Sequence, residues 1–269
     1  MKRTTGFHIL VVLALASSCA PAPPDYSAVF DGTAGRWIDL THDVSPDAVF
    51  WPTADPFVLD TVAYGMTEGG YFYAAFNFAS SEHGGTHVDA PIHFAEGRIT
   101  TAQIPLSALI GPAAVIRDPA GDNPDHQVGV EAIAAWEARH GPIPAGTTVL
   151  LDTGWADRWP DPVRYLGTAL RGEEAIPELH FPGLDPEAAQ WLVDNRDIAA
   201  LGLDTPSLDY GQSSAFETHR ILYWENIPGY ENVVSLPALP EWGAFVVALP
   251  MKIAGGSGGP LRIVAFVPD

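Results

Sequence analysis

The stretch Ser80-Ser81-Glu82-His83-Gly84-Gly85-Thr86-His87-Val88-Asp89-Ala90-Pro91-Ile92-His93-Phe94 gathers His83, His87, Asp89 and His93 within eleven residues. Gly84, Gly85 and Pro91 disfavour a helix here. In an extended chain alternate side chains share a face, so His83, Gly85, His87 and Asp89 are expected to point the same way. Gly85 would then leave room for an ion and its water between the flanking ligands, the open arrangement of a catalytic metal site. Nitrogen and oxygen donors without sulfur suit Zn²⁺, Mn²⁺ or Fe²⁺.

Outward from this segment, runs rich in β-branched and aliphatic residues predict strands at Ala113 to Ile116, Thr147 to Asp152, Ala199 to Leu203, Ala244 to Leu249 and Leu261 to Val267. Tyr71 to Phe78 is an aromatic-rich strand candidate. Asp185-Pro186-Glu187 reads as a helix start leading into AAQWLVDNR, and Val130 to Arg139, closed by Gly141, as a second helix. Strands alternating with helices and with hairpin-like strand pairs predict one mixed α/β domain. The 269 residues, 47% of them hydrophobic, can fill a single core of that kind.

The segment from His83 to Phe94 resembles the HxGTHxDxPxHF signature of the cyclase family, which includes bacterial kynurenine formamidases and isatin hydrolases. The likeness continues through Gly111-Pro112-Ala113-Ala114-Val115-Ile116, Leu150-Leu151-Asp152-Thr153-Gly154-Trp155, Gly202-Leu203-Asp204-Thr205-Pro206-Ser207 and Gly259-Pro260-Leu261-Arg262. The resemblance implies a single domain of swivelling β/β/α architecture with a mixed β-sheet, assembled as a homodimer or larger homo-oligomer. It implies that His83, His87 and Asp89 hold one metal ion, for which the donor set leaves Zn²⁺ as the expected ion and Mn²⁺ as the alternative. Asp89 can bridge to a second ion that is also bound by a downstream histidine and a glutamate twelve residues later, a spacing matched by His219 and Glu231. Glu225 competes for that place, but only Glu231 lies in the family-like Glu231-Asn232-Val233. His93 takes the position of the proton-transfer group, work suited to an imidazole. Trp51-Pro52 resembles the element that lines the substrate pocket, although Thr53 and Ala54 depart from the glycine-containing sequence usual there.

Those roles imply hydrolysis of a carbon–nitrogen bond in an amide, formamide or cyclic amide by metal-activated water. A lactone or ester hydrolase with the same site, and a non-catalytic envelope lipoprotein that only binds metal and ligand, are the competing readings. Gly255-Gly256-Ser257-Gly258-Gly259 matches the G-x-S-x-G nucleophile pattern, but no histidine follows it in chain order, so a glycine-rich turn before the last strand is expected. His42, His126, His140 and His180 lack ligand-like spacing.

At the start, Lys2 and Arg3 precede an apolar run from Ile9 to Ala16 and then Cys19. This predicts a signal peptide over residues 1–18, a Pro-rich tether over 19–34 and the hydrolase domain over 35–269. Ala16-Ser17-Ser18-Cys19 resembles a lipobox, which would place a lipid anchor on Cys19 and the protein on the periplasmic side of a bacterial envelope. Ordinary signal-peptidase cleavage is the alternative. With Cys19 the single cysteine, internal disulfides, thiolate metal cages and a cysteine nucleophile are excluded. A formal net charge of −20 at pH 7 argues against nucleic acid as a partner and leaves a small-molecule amide as the expected one.

Overall fold

The computed structural model describes residues 27–269, so the expected signal peptide and Cys19 lie outside the described residues. The last part of the expected tether carries a helical turn, α1 (Ser27–Phe30), whose Phe30 stacks on Trp37. Then come β1 (Gly35–Asp39), β2 (Val58–Met66), β3 (Phe72–Ala79), β4 (His87–Asp89), α2 (Leu106–Leu109), β5 (Ile110–Arg117) and β6 (Gln127–Val128). The middle of the chain supplies α3 (Val130–His140), β7 (Thr148–Asp152), α4 (Pro162–Leu166), β8 (Gly183–Leu184), α5 (Pro186–Asn195) and β9 (Ala200–Leu203). It ends with α6 (Glu217–Trp224), β10 (Gly229–Glu231), β11 (Trp242–Pro250) and β12 (Gly258–Pro268).

The main sheet is mixed and runs β1-β12-β11-β5-β7-β9-β10-β4, and β4 also pairs with β12, which closes it into a barrel-like ring. β5, β7, β9 and β10 are parallel neighbours, and the other pairings are antiparallel. Parallel strands are covered on both faces and so read as continuous apolar runs, and all five residues of β7 are buried. Alternation along the strands divides the core. Ala113, Val115, Val246, Ala248, Ile263 and Ala265 form one cluster on one face, while Ala114, Ile116, Leu151 and Leu203 pack on the other face against Ile133, Trp136, Leu192 and Leu222 from α3, α5 and α6.

The helix punctuation matches the sequence. Asp185 accepts a hydrogen bond from the Glu187 backbone N–H at 2.7 Å with Pro186 at the first helical position, and Gly141 ends α3 with φ of 84°. The five expected strands are β5, β7, β9, β11 and β12. The aromatic run from Tyr71 is also a strand, but it joins no core. β2 and β3 form a separate two-stranded hairpin whose Tyr64, Met66 and Tyr71 are 72%, 69% and 63% exposed. Among the described residues no helix is long and apolar enough to cross a membrane.

Candidate metal centre

β4 is wedged between β10 and the start of β12, with Glu231 opposite His87 and Gly258 opposite Asp89. Alternation puts His87 and Asp89 on one side of this short strand, and directly opposed residues share a face, so Glu231 joins them. His87 Nε2 lies 3.1 Å from Asp89 Oδ1 and 3.4 Å from Glu231 Oε2.

His83 arrives differently from the uninterrupted extended segment expected. The strand begins only at His87, and the preceding residues bend through Gly85 at φ of +61°, a conformation that side-chain-bearing residues rarely adopt. The bend carries His83 Nδ1 to 2.7 Å from Asp89 Oδ1. Gly85 is therefore required for its backbone rather than for space between ligands. Its carbonyl accepts from His87 Nδ1 at 2.9 Å and from Asn232 Nδ2 at 2.7 Å. Gly84 is required for packing, since a Cβ there would sit 1.9 Å from the Phe50 ring.

α6 completes the cluster with His219 and Tyr223, one turn apart on its buried face. His219 Nε2 is 3.1 Å from Glu231 Oε1 and 3.5 Å from Asp89 Oδ2, and the Tyr223 hydroxyl donates to Asp89 Oδ2 at 3.0 Å. Behind His219, Asp209 accepts from its Nδ1 at 2.5 Å and from the backbone N–H groups of Thr218 and His219. Glu231 Oε1 also accepts from the Leu208 N–H at 3.0 Å. Glu225 sits exposed at the end of α6 and takes no part.

The donors suit a divalent cation. His87 and His219 spend Nδ1 on Gly85 O and Asp209, so each turns Nε2 inward, and the buried Nε2 of His87 has no hydrogen-bond partner. Two sets, His83/His87/Asp89 and Asp89/His219/Glu231, each bring their ligand atoms within 4.8 Å of one another and share Asp89. Among the described residues, no Lys or Arg pairs with either buried carboxylate. Burial and then the Asp89 charge push Glu231 above the usual carboxylate range. Burial disfavours charge on His87, yet Asp89 and Glu231 outweigh it and raise His87 to about 9. The cluster thus attracts positive charge into a buried place, which a metal ion satisfies better than protons.

His93 closes the 3₁₀ turn Pro91–His93. Its ring stacks on His83 with centroids 3.9 Å apart, and its Nε2 is 3.9 Å from Asp89 Oδ2. Burial, reinforced by the neighbouring histidines and opposed by Asp89, lowers His93 to about 4, so its imidazole is neutral at pH 7.

These groups line a cavity of about 260 Å³ with an apolar wall from Phe50, Trp51, Phe94 and Phe216. Trp51 lies half-buried in that wall, 6.4 Å from Phe216 between ring centroids. Phe216 has φ of 49°, an uncommon conformation for a bulky residue that sets its ring beside the cavity. Asp209 and Phe216 were given no role by the sequence and Asn232 only marked the stretch around Glu231, whereas Tyr223 could have been found from its i,i+4 relation to His219. His42, His126, His140 and His180 all lie outside the cavity wall.

The family model described as "Putative cyclase" matches residues 38–210. The chain is 35% identical over 210 residues to an isatin hydrolase of Roseibium aggregatum, covering 74% of this chain and 77% of the relative. It is 30% identical over 194 residues to a kynurenine formamidase of Paracidovorax citrulli, covering 71% and 78%. The structure of isatin hydrolase A from Ralstonia solanacearum superimposes with a TM-score of 0.81 at 33% identity, covering 92% of this chain and 99% of that one. With the motif, the mixed closed sheet and these relatives in agreement, the chain belongs to the cyclase family.

Proposed function

We propose that this protein is a metal-dependent hydrolase that cleaves the C–N bond of an aromatic cyclic amide or arylformamide. The observation that carries the reading is an imidazole, His93, held 3.9 Å from a buried carboxylate shared by two candidate ligand sets, inside a cavity with an aromatic wall. The two relatives named for isatin hydrolase and kynurenine formamidase support the substrate class.

His83, His87 and Asp89 would hold one ion, and Asp89, His219 and Glu231 a second. Zn²⁺ is the proposed ion and Mn²⁺ its alternative, since both accept this nitrogen and oxygen set. A bound divalent ion supplies Lewis acidity toward a carbonyl oxygen and makes water a better nucleophile. Phe50, Trp51, Phe94 and Phe216 would hold the planar ring and exclude bulk water from it. His93 would take a proton from the attacking water and return it to the departing nitrogen, leaving a carboxylate and an amine, or one opened ring. Tyr223 and Asp209 would keep Asp89 and His219 aimed inward. Hydrolysis of isatin, an arylformamide and a lactone, each with and without chelator, tests this. Turnover of the lactone alone would refute the C–N assignment.

Residues 35–269 are proposed as one hydrolase domain, consistent with a closed sheet whose first strand starts at Gly35. The protruding hairpin supports homodimeric or larger self-assembly, because an isolated two-stranded sheet with exposed aromatics is marginal in water without a covering partner. Export is proposed from Lys2, Arg3 and the apolar run that follows, with lipid anchoring at Cys19.

A further inference from the structure

The glycine-rich Gly255–Gly259 segment, expected as a turn before the last strand, packs against Glu82 and His83 of the motif. Glu82 Oε2 accepts from Ser257 Oγ at 2.7 Å, from the Ser257 backbone N–H at 2.9 Å and from the Gly258 N–H at 3.3 Å. Ser257 Oγ in turn stands 2.9 Å from His83 Nε2. The glycines are needed for this approach. A Cβ on Gly258 would lie 2.5 Å from His83 Cε1, and one on Gly256 would lie 2.6 Å from Glu82 Oε1. The segment is fixed in place just before β12, where the Ala90 N–H donates to Ser257 O at 2.8 Å.

The Ser257 hydroxyl has a single hydrogen, and it is donated to Glu82. Ser257 Oγ can then only accept from His83, which places a proton on Nε2. Nδ1 faces Asp89 Oδ1 at 2.7 Å, a contact that either a second ring proton or a bound cation bridges, and metal binding replaces the proton. We propose that Ser257 and Glu82 are positioning residues that select the Nε2–H tautomer of His83 and so make Nδ1 its metal-ligating atom. This rests on the reading that the cluster holds a divalent ion. His83 would thereby bind through the ring nitrogen opposite to that used by His87 and His219, each with its own acceptor behind it.

The test measures metal binding by the full chain, with no dependence on turnover. Zn²⁺ affinity is read by competition with a chromophoric chelator, and ligand geometry by the visible spectrum of the Co²⁺-loaded protein. Ser257→Ala is expected to weaken Zn²⁺ binding about 10–100-fold and to change the Co²⁺ spectrum, with Ser257→Thr, which keeps the hydroxyl, restoring both. Glu82→Gln, which keeps the shape of the acceptor, is expected to move both readouts in the same direction and serves if Ser257→Ala does not fold. Unchanged affinity and spectrum in Ser257→Ala and Glu82→Gln would overturn the assignment while leaving the metal site standing. A Ser257→Ala defect that Ser257→Thr fails to restore would also overturn it. A wild-type chain that takes up neither Zn²⁺ nor Co²⁺ would overturn the assignment together with the metal-site reading.

Discussion

Replacing Asp209 tests how α6 delivers His219. The helix begins at Glu217 after Phe216, whose side chain offers no cap, so the N–H groups of Thr218 and His219 depend on the Asp209 carboxylate at 3.0 and 3.2 Å. The same carboxylate accepts from His219 Nδ1 at 2.5 Å. Asp209→Ala would strand three buried donors, each worth about 1–3 kcal/mol when left unsatisfied, and a loss of about 3–6 kcal/mol follows after partial relaxation. Asp209→Asn has one accepting oxygen where Asp209 uses Oδ1 for the Thr218 N–H and Oδ2 for the His219 N–H and Nδ1, so it keeps one side, sets an amide donor against the other and loses the charge-assisted bond, for a loss of about 1–3 kcal/mol. Urea unfolding gives the stability, and chelator competition gives metal affinity, which should fall about 10–100-fold in Asp209→Ala. An Asp209→Ala protein within about 1 kcal/mol of wild type, which is the loss of no more than one ordinary hydrogen bond, would refute the account of α6.

Three further changes separate the roles at the site and in its support. His93→Ala should lower turnover about 10²–10⁴-fold with metal content unchanged, whereas His87→Ala should lose both, as read by steady-state assays beside elemental analysis. Gly84→Ala drives a methyl into the Phe50 ring and should cost about 1–3 kcal/mol while disturbing the cavity wall, visible as a lower denaturation midpoint and a raised KM. His42, stacked on Trp159 with centroids 4.1 Å apart, is lowered by burial to about 4, against about 6.5 in the unfolded chain. The unfolded chain therefore binds its proton first, so this ring's contribution is fully present above pH 6.5 and is lost as pH falls toward 4. Discounted for its partial solvent access, the effect is about 1–2 kcal/mol. His42→Phe should flatten the urea-derived stability between pH 7 and pH 4 by about that amount, and an unchanged slope would rule the ring out.

The grouping of His83, His87 and Asp89 was legible because β4 holds two of them at strand spacing and a glycine bend returns the third within four residues. The bend itself was not legible as such. An extended reading gives His83 the same neighbours by alternation, and only φ of +61° at Gly85 distinguishes the two. His219 and Glu231 were reached by resemblance, and the physical link between them is the pairing of β10 with β4, a contact between distant segments. Ser257 escaped for the same reason, meeting His83 from 174 residues away, whereas Asp209 and Phe216 lie within ten residues of His219 and were hidden by the irregular chain that leads into α6. The aromatic run in β3 was legible as a strand but not in its placement, because periodicity reports which side chains share a face and not what covers that face.

Metal content, measured with amide hydrolysis on the same preparation, tests the central claim most directly. The protein purified with its residues 35–269 intact should carry one or two equivalents of Zn²⁺ or Mn²⁺ by elemental analysis. It should also open isatin or cleave an arylformamide in a reaction that chelator abolishes and added metal restores. Absence of bound metal even after reconstitution, or hydrolysis indifferent to chelator, would contradict the account.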